Sequence, residues 1–286
     1  MNPIVQNSDK ENKVDQLSVI LQRFSMNTSV FFTGNLCGIS NFNKSPNQGH
    51  LHLLRNGELT LIDEQGKSLL INEPAVLYVP TPHTHRIIAN EENPPELVCA
   101  NIIYNENTSN PIADALPSLL LFKLNDCEKL NRTAQWLFDE AFHERCGRLP
   151  MIESLTNIFL IHILRHVLDN NIIQHGLLAG LAHPQISRVL TAMHKAPEKQ
   201  WGLAEMAELA LMSRSKFADA FKRTVGQSPG NYLIDWRINV AKVLLKQNKP
   251  VALVANAVGY ENGSALARVF RKKLGISPKQ WFEKNN

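Results

Sequence analysis

The sequence predicts a multidomain α+β protein: a small all-β domain, then a helical linker, then an all-α domain. Three observations predict it. Alternating apolar runs broken by turn residues fill residues 30–105, the period becomes helical after Pro117, and a two-helix unit is duplicated near the end. With 286 residues, 44% of them hydrophobic and 20% charged, the chain can build two cores and shows no compositional sign of disorder.

The first element is an extension, residues 1–29, that begins with a polar stretch over 1–12. A secretory leader needs a basic start and an apolar core, and this stretch has neither. No run of about 18 uninterrupted apolar residues follows, because residues 158–168 are broken by His162, Arg165 and His166. No membrane partner is expected, and the chain is expected to work in the cytoplasm. Cys37, Cys99, Cys127 and Cys146 lie far apart without a CxxC spacing, which argues against a zinc knuckle or disulfide scaffold and for reduced thiols.

The β domain is read over residues 30–125, with runs at 30–32, 50–54, 59–62, 68–71, 76–79, 85–88 and 97–104. Asn56 followed by Gly57 predicts a hairpin turn, and Glu64, Gln65 and Gly66 predict another. Such runs build a sandwich or small barrel. The linker, residues 126–175, has two amphipathic stretches. Trp136, Leu137, Glu140 and Ala141 mark the first, and Ile152, Leu155, Ile158, Phe159, His162, Ile163 and His166 mark the second. The second stripe is wide enough either to pack on the β domain or to form the seam of a homodimer, and spacing leaves both open.

The last domain, residues 181–286, holds the strongest signal. The segment running from Phe221 through Gly226 to Pro229 recurs from Phe270 through Gly275 to Pro278, an offset of 49 residues. Carried backwards without a gap, the offset places Phe217 over Leu266, Ala210 over Gly259 and Ala204 over Leu253. Each copy reads as a short helix, a tight turn and a second helix, over about 203–225 and 251–274. Small residues Ala207 and Ala210, and Ala255 and Gly259, allow the close crossing of a helix-turn-helix. Phe217 with Phe221, and Leu266 with Phe270, stand at i, i+4 and face the core.

The opposite face is then available to duplex DNA. It carries Arg214, Ser215, Lys216 and Asp219 in one copy, and Asn262, Gly263, Ser264 and Arg268 in the other. Ser213 is placed to cap the first recognition helix. Lys222, Arg223, Arg271, Lys272 and Lys273 near the helix ends suit phosphates. A connecting helix over 232–247 would hold the two units in fixed relation, so that they enter successive major grooves about 34 Å apart. Charge agrees: from Leu181 onward 17 basic residues face 7 acidic ones, a net +10, while the preceding part carries 13 and 19, a net −6. Only the last domain is suited to a polyanion.

These residues resemble the AraC/XylS family of transcription regulators over about the last hundred residues. The marks are Trp201, Ser213 to Ser215 with Phe217, Gly226 with Ser228 and Pro229, and Trp236 and Arg237 with Ala241, Leu244 and Leu245. Gly259 with Tyr260, and Gly275 with Ser277 and Pro278, complete them. The resemblance implies promoter binding and, for an activator, contact with RNA polymerase. Three positions depart from the pattern: Leu266 stands where an aromatic is usual, and Ala218 and Asp219 stand where longer polar or basic side chains are common. The β domain is similar to the cupin-like sensor barrel of one branch of this family, through Cys37 with Gly38, His52 before Gly57, Pro80 before His85, Cys99, and Leu116 with Pro117.

For the sensor domain three readings stay open. His50, His52 and His85, with Glu58, are candidate ligands for a divalent metal, since alternate strand residues share a face. Cys37 and Cys99 sit at the cysteine positions of a branch that resembles reactive-chlorine sensors, which implies an oxidant effector. A small-molecule effector in the barrel mouth is the third. The sequence itself calls for no cofactor. The functional expectation is therefore a sequence-specific DNA-binding transcription regulator, an effector- or oxidant-responsive activator and not an enzyme, with a metal-dependent cupin enzyme carrying accessory helices as the alternative.

Overall fold

The computed structural model describes residues 15–45, 48–104 and 110–285. The polar stretch over 1–12, and with it the leader reading, lies outside the described residues. α1 (Ser18–Arg23) precedes the strands β1 (Met26–Asn35), β2 (Ile39–Phe42), β3 (Gln48–Asn56), β4 (Leu59–Ile62), β5 (Ser68–Ile71), β6 (Ala75–Val79), β7 (His85–Ala89), β8 (Glu96–Tyr104) and β9 (Leu120–Lys123). They form two antiparallel sheets, ordered β1-β8-β3-β6-β9 and β2-β7-β4-β5. The central strands of the larger sheet are buried along most of their length because both of its faces are covered. Leu54, Leu77, Leu97 and Cys99 point at the smaller sheet, while Leu51, Leu53, Val76 and Tyr78 point the other way, into a core shared with helices.

The turn at Gly66 joins β4 to β5 as expected. Asn56 and Gly57 do otherwise. They carry the chain from the larger sheet to the smaller, so no hairpin forms there. Gly57, at φ +88°, lies so close to Pro94 that a Cβ would sit 2.4 Å from its carbonyl oxygen.

α2 (Glu128–Ala141) and α3 (Arg148–Asp169) cover the outer face of the larger sheet. The wide stripe on α3 is thus core: Ile152, Leu155, Phe159, Ile163 and Val167 are buried. Ile158, placed on that stripe by its spacing, is exposed, as are Trp136 of α2 and Leu149 and Met151 of α3. α3 is the one described helix long and apolar enough to cross a membrane, and it lies against the protein's own core.

The remaining helices are α4 (Leu177–Ala182), α5 (Ile186–Lys195), α6 (Leu203–Leu209), α7 (Arg214–Val225), α8 (Pro229–Lys246), α9 (Val251–Ala257), α10 (Gly263–Leu274) and α11 (Pro278–Asn285). Phe217, Phe221, Leu266 and Phe270 are fully buried, and each large apolar side chain so buried contributes roughly 1.5–3 kcal/mol. The core runs without interruption from the outer face of the larger sheet through α2 and α3 to both helix-turn-helix units.

Candidate nucleic-acid interface

The repeat sets both recognition helices in the same way at their ends. Ser213 Oγ accepts from the Lys216 N–H at 3.4 Å, and Asn262 Oδ1 accepts from the Ala265 N–H at 3.0 Å. Both satisfy donors that a helix start leaves free. Gly226 and Gly275, at φ +89° and +76°, close the helices in the left-handed conformation. Ser228 and Ser277 then cap the helices that follow.

The turns between the paired helices differ. α7 and α10 begin 49 residues apart, but α6 and α9 begin 48 apart. The ungapped register through Ala210 and Gly259 is thereby corrected: the second turn holds one residue more. Leu211, at φ +53°, occupies the left-handed position in the first turn, and Gly259, at φ +80°, occupies it in the second. Only glycine fits there, because a Cβ would meet the Glu198 carbonyl oxygen at 2.5 Å.

On the outward face, Arg214, Ser215, Lys216, Asp219, Lys222 and Arg223 of the first unit are all exposed. Asn262, Ser264, Arg268, Arg271 and Lys272 of the second are exposed too, with Gly263 half-buried. Asp219 shares a shallow hollow with Lys216, Lys222 and Arg223, so its charge is set among cations. Lys273 departs from its expected place among the phosphate-facing cations: its Nζ pairs with Asp235 of α8 at 2.6 Å.

The two units are joined by more than α8. Arg237, buried on α8, donates from Nε to the Pro197 carbonyl at 2.7 Å and from Nη2 to Lys199 at 2.8 Å. Its guanidinium also lies over the Tyr260 ring, and Gln200 Nε2 donates to the Gly259 carbonyl at 2.8 Å. The segment ahead of the first unit is thus fastened to the turn of the second. No spacing rule marks such a contact in the sequence, although Arg237 and Tyr260 are both positions of the family pattern.

Inside the barrel His50, His52 and His85 do gather, around Phe42, which stacks on His85 with ring centroids 4.9 Å apart. Their hydrogen bonds fix a direction. The His83 carbonyl can only accept, so His85 Nδ1 carries the proton in their 3.3 Å contact. His85 Nε2 then accepts from His52 Nε2 at 2.9 Å, and His52 Nδ1 accepts from the Cys99 thiol at 3.1 Å. Burial holds His52 well below the usual imidazole range and brings His85 down to about 4. His52 and His85 are thus spent on each other and on Cys99, while His50 Nδ1 is buried without a partner. Among the described residues no three His, Cys, Asp or Glu groups converge on a metal position, and Glu58 instead accepts from Asn90.

The two candidate redox cysteines differ in exposure. Cys99 is buried opposite Phe32, and burial pushes its thiol far above the ordinary range. Cys37 is exposed, beyond the end of β1 where Asn35 pairs with Glu96.

Two family models match the chain: a cupin model over residues 15–169 and a helix-turn-helix domain model over residues 206–284. The chain is 29% identical to an HTH-type transcriptional regulator of Haemophilus influenzae over 296 residues, covering 94% of this chain and 97% of that one. It is 40% identical to a putative AraC-like transcription regulator of Streptomyces antibioticus over 141 residues, 49% of this chain and 46% of the relative. It is 23% identical to RclR of Escherichia coli, an RCS-specific HTH-type transcriptional activator, covering 82% and 84%. With a barrel in the first match and a capped, duplicated helix-turn-helix in the second, the chain belongs to the cupin family over its N-terminal half and is, as a whole, a DNA-binding transcription regulator similar to AraC-like ones.

Proposed function

We propose that the chain reads an asymmetric promoter site with α7 and α10 in successive major grooves, and that its barrel makes this reading responsive to an effector. The observation that carries the proposal is the pair of equally capped recognition helices. Each presents an exposed Arg, Arg214 at the first position of α7 and Arg268 on the face of α10 opposite the buried Leu266 and Phe270. Arg suits bidentate contact with guanine in the major groove, and Lys222, Arg223, Arg271 and Lys272 suit phosphates. A protein seated on a promoter in this way works in the cytoplasm, and as an activator it touches RNA polymerase. Nothing in the barrel's hydrogen-bonded histidines supplies an open catalytic position, which favours a sensor over an enzyme.

For the effector, the enclosed Phe42, His50, His52 and His85 cluster favours a small molecule over a direct Cys37–Cys99 disulfide. The exposed Trp136, Leu149, Met151 and Ile158 on α2 and α3 favour self-association. The test is genome-wide occupancy of the wild type and of an Arg214→Ala/Arg268→Ala double variant. Discrete sites lost in the variant are expected; equal occupancy by both would overturn the reading.

A further inference from the structure

Counted from the helix starts at Arg214 and Gly263, the offset of 49 residues pairs the side chains of α7 and α10 one to one. Phe217 falls on Leu266 and Phe221 on Phe270, and all four are fully buried. On the outside Lys222 falls on Arg271 and Arg223 on Lys272, so both helices carry exposed cations toward their C-terminal ends. One pair inverts its charge. Asp219 in α7 stands where α10 has Arg268.

That position is the middle of the outward face in both helices. Successive helical residues turn by about 100°, so Asp219 lies about 200° round the axis from Phe217, and Arg268 lies as far round from Leu266. Both side chains are exposed. Asp219 is the only acidic residue of α7, and α10 has none. Lys216, Lys222 and Arg223 stand around Asp219, yet no ion pair joins it to them among the described residues. A carboxylate in the middle of a face that meets DNA is repelled by phosphates, and it accepts hydrogen bonds without donating any. What it can engage in a major groove is a donor on a base edge. Guanine shows there only the acceptors N7 and O6, and thymine an acceptor and a methyl group. Adenine offers its N6 amino group beside the acceptor N7, which opposes a carboxylate, whereas the N4 amino group of cytosine has no acceptor beside it. Arg268 has the opposite need, and its fork of donors suits guanine O6 and N7.

We propose that Asp219 selects cytosine in the first half-site at the place where Arg268 selects guanine in the second, an inference that rests on the reading of α7 and α10 as major-groove readers. One position of the repeat thus carries opposite base preferences, and a duplicated fold reads two half-sites that are not copies of each other. The cations around Asp219 keep its charge compatible with the nearby phosphates, and the base edge decides where it can sit.

Duplexes are selected from a randomised pool with the full-length protein as wild type, Asp219→Asn, Asp219→Ala and Arg268→Ala, and the chosen duplex is then titrated with each base pair at the position concerned. Asp219 is exposed and Asn keeps its shape, so the fold and the rest of the site are retained. The wild type is expected to enrich a two-part site with cytosine at one position of one half-site, and to bind about tenfold or more weakly when that base is replaced. In Asp219→Asn that single preference should move to adenine, which Asn holds through N6 and N7. In Asp219→Ala replacing the base should cost less than about threefold. Arg268→Ala should instead relax a guanine in the other half-site. Unchanged preferences in both Asp219 variants overturn the proposal. So does a weakening spread evenly over all sequences, which marks a backbone contact, and so does a change that falls on a base other than cytosine. Each of these outcomes leaves a two-part site in place, whereas a wild type that enriches none overturns the promoter reading above and this proposal with it.

Discussion

Ser213 and Asn262 do one job with different atoms. Both feed a side-chain oxygen to the third N–H of a recognition helix, and both stand one repeat apart. Ser213 was legible as a cap because Ser before a helical pattern is a strong local signal. Asn262 reads equally well as a base-contacting side chain, and only the folded helix start shows its oxygen turned inward. Lys273 was illegible for a plainer reason: its partner Asp235 is far away in sequence. His194 is a residue whose chemistry the fold decides. It is buried between Trp236 and Tyr232, with Nε2 2.6 Å from the Tyr232 hydroxyl, and burial, with Arg23 nearby, lowers its pKa to about 3. In the unfolded chain it titrates near 6.5, so between about pH 6.5 and 3 the unfolded state binds the extra proton. The stability this residue contributes is complete above pH 6.5 and is lost as the pH falls through that window, at up to about 1.4 kcal/mol per pH unit. Urea midpoints taken from pH 7 to pH 4 should fall less steeply in His194→Gln than in the wild type. Parallel slopes would mean that His194 takes no part in acid sensitivity.

At the scale of elements, strands β4 and β5 and helices α6 and α7 fall where period and turn residues put them. The misses share a cause. β2 is a short edge strand with no fully buried residue, so it lacks the alternation that marks a half-buried strand. α1 is too short to display a helical period, and its apolar residues make sense only against helices distant in sequence, α3 and α5. The extra residue in the second helix-turn-helix turn is invisible to an ungapped offset, because Ala210 and Gly259 are both small. α3 shows what periodicity leaves undecided, since the same stripe that fills the core leaves Ile158 in water. If the exposed apolar side chains on α2 and α3 seat a second copy, Ile158→Glu shifts the sedimentation equilibrium from dimer to monomer by about tenfold or more in dissociation constant. A wild-type chain that sediments as a monomer at micromolar concentration would remove the basis for that expectation.

For the molecule as a whole, the division of charge, +10 from Leu181 onward and −6 before it, becomes a division of surface. The exposed cations of α7 and α10 carry no ion pairs among the described residues, while Lys273 does. Each phosphate contact adds about 0.9 to the steepness with which log affinity falls against log salt. Lys222→Ala and Arg271→Ala should each reduce that slope by about 1 in titrations of an operator duplex, and Lys273→Ala should leave it in place. Equal slopes for all three would dissociate these cations from the DNA backbone. One further property follows from the Arg237 guanidinium, which holds the Pro197 and Lys199 carbonyls and covers Tyr260, and from the Gln200 to Gly259 bond. Fastened at the hinge as well as along α8, the two readers make a calliper with a fixed opening. A promoter lengthened by about five base pairs between its half-sites turns the second groove to the far side of the duplex, and a calliper of this kind closes on one half-site or the other but not on both.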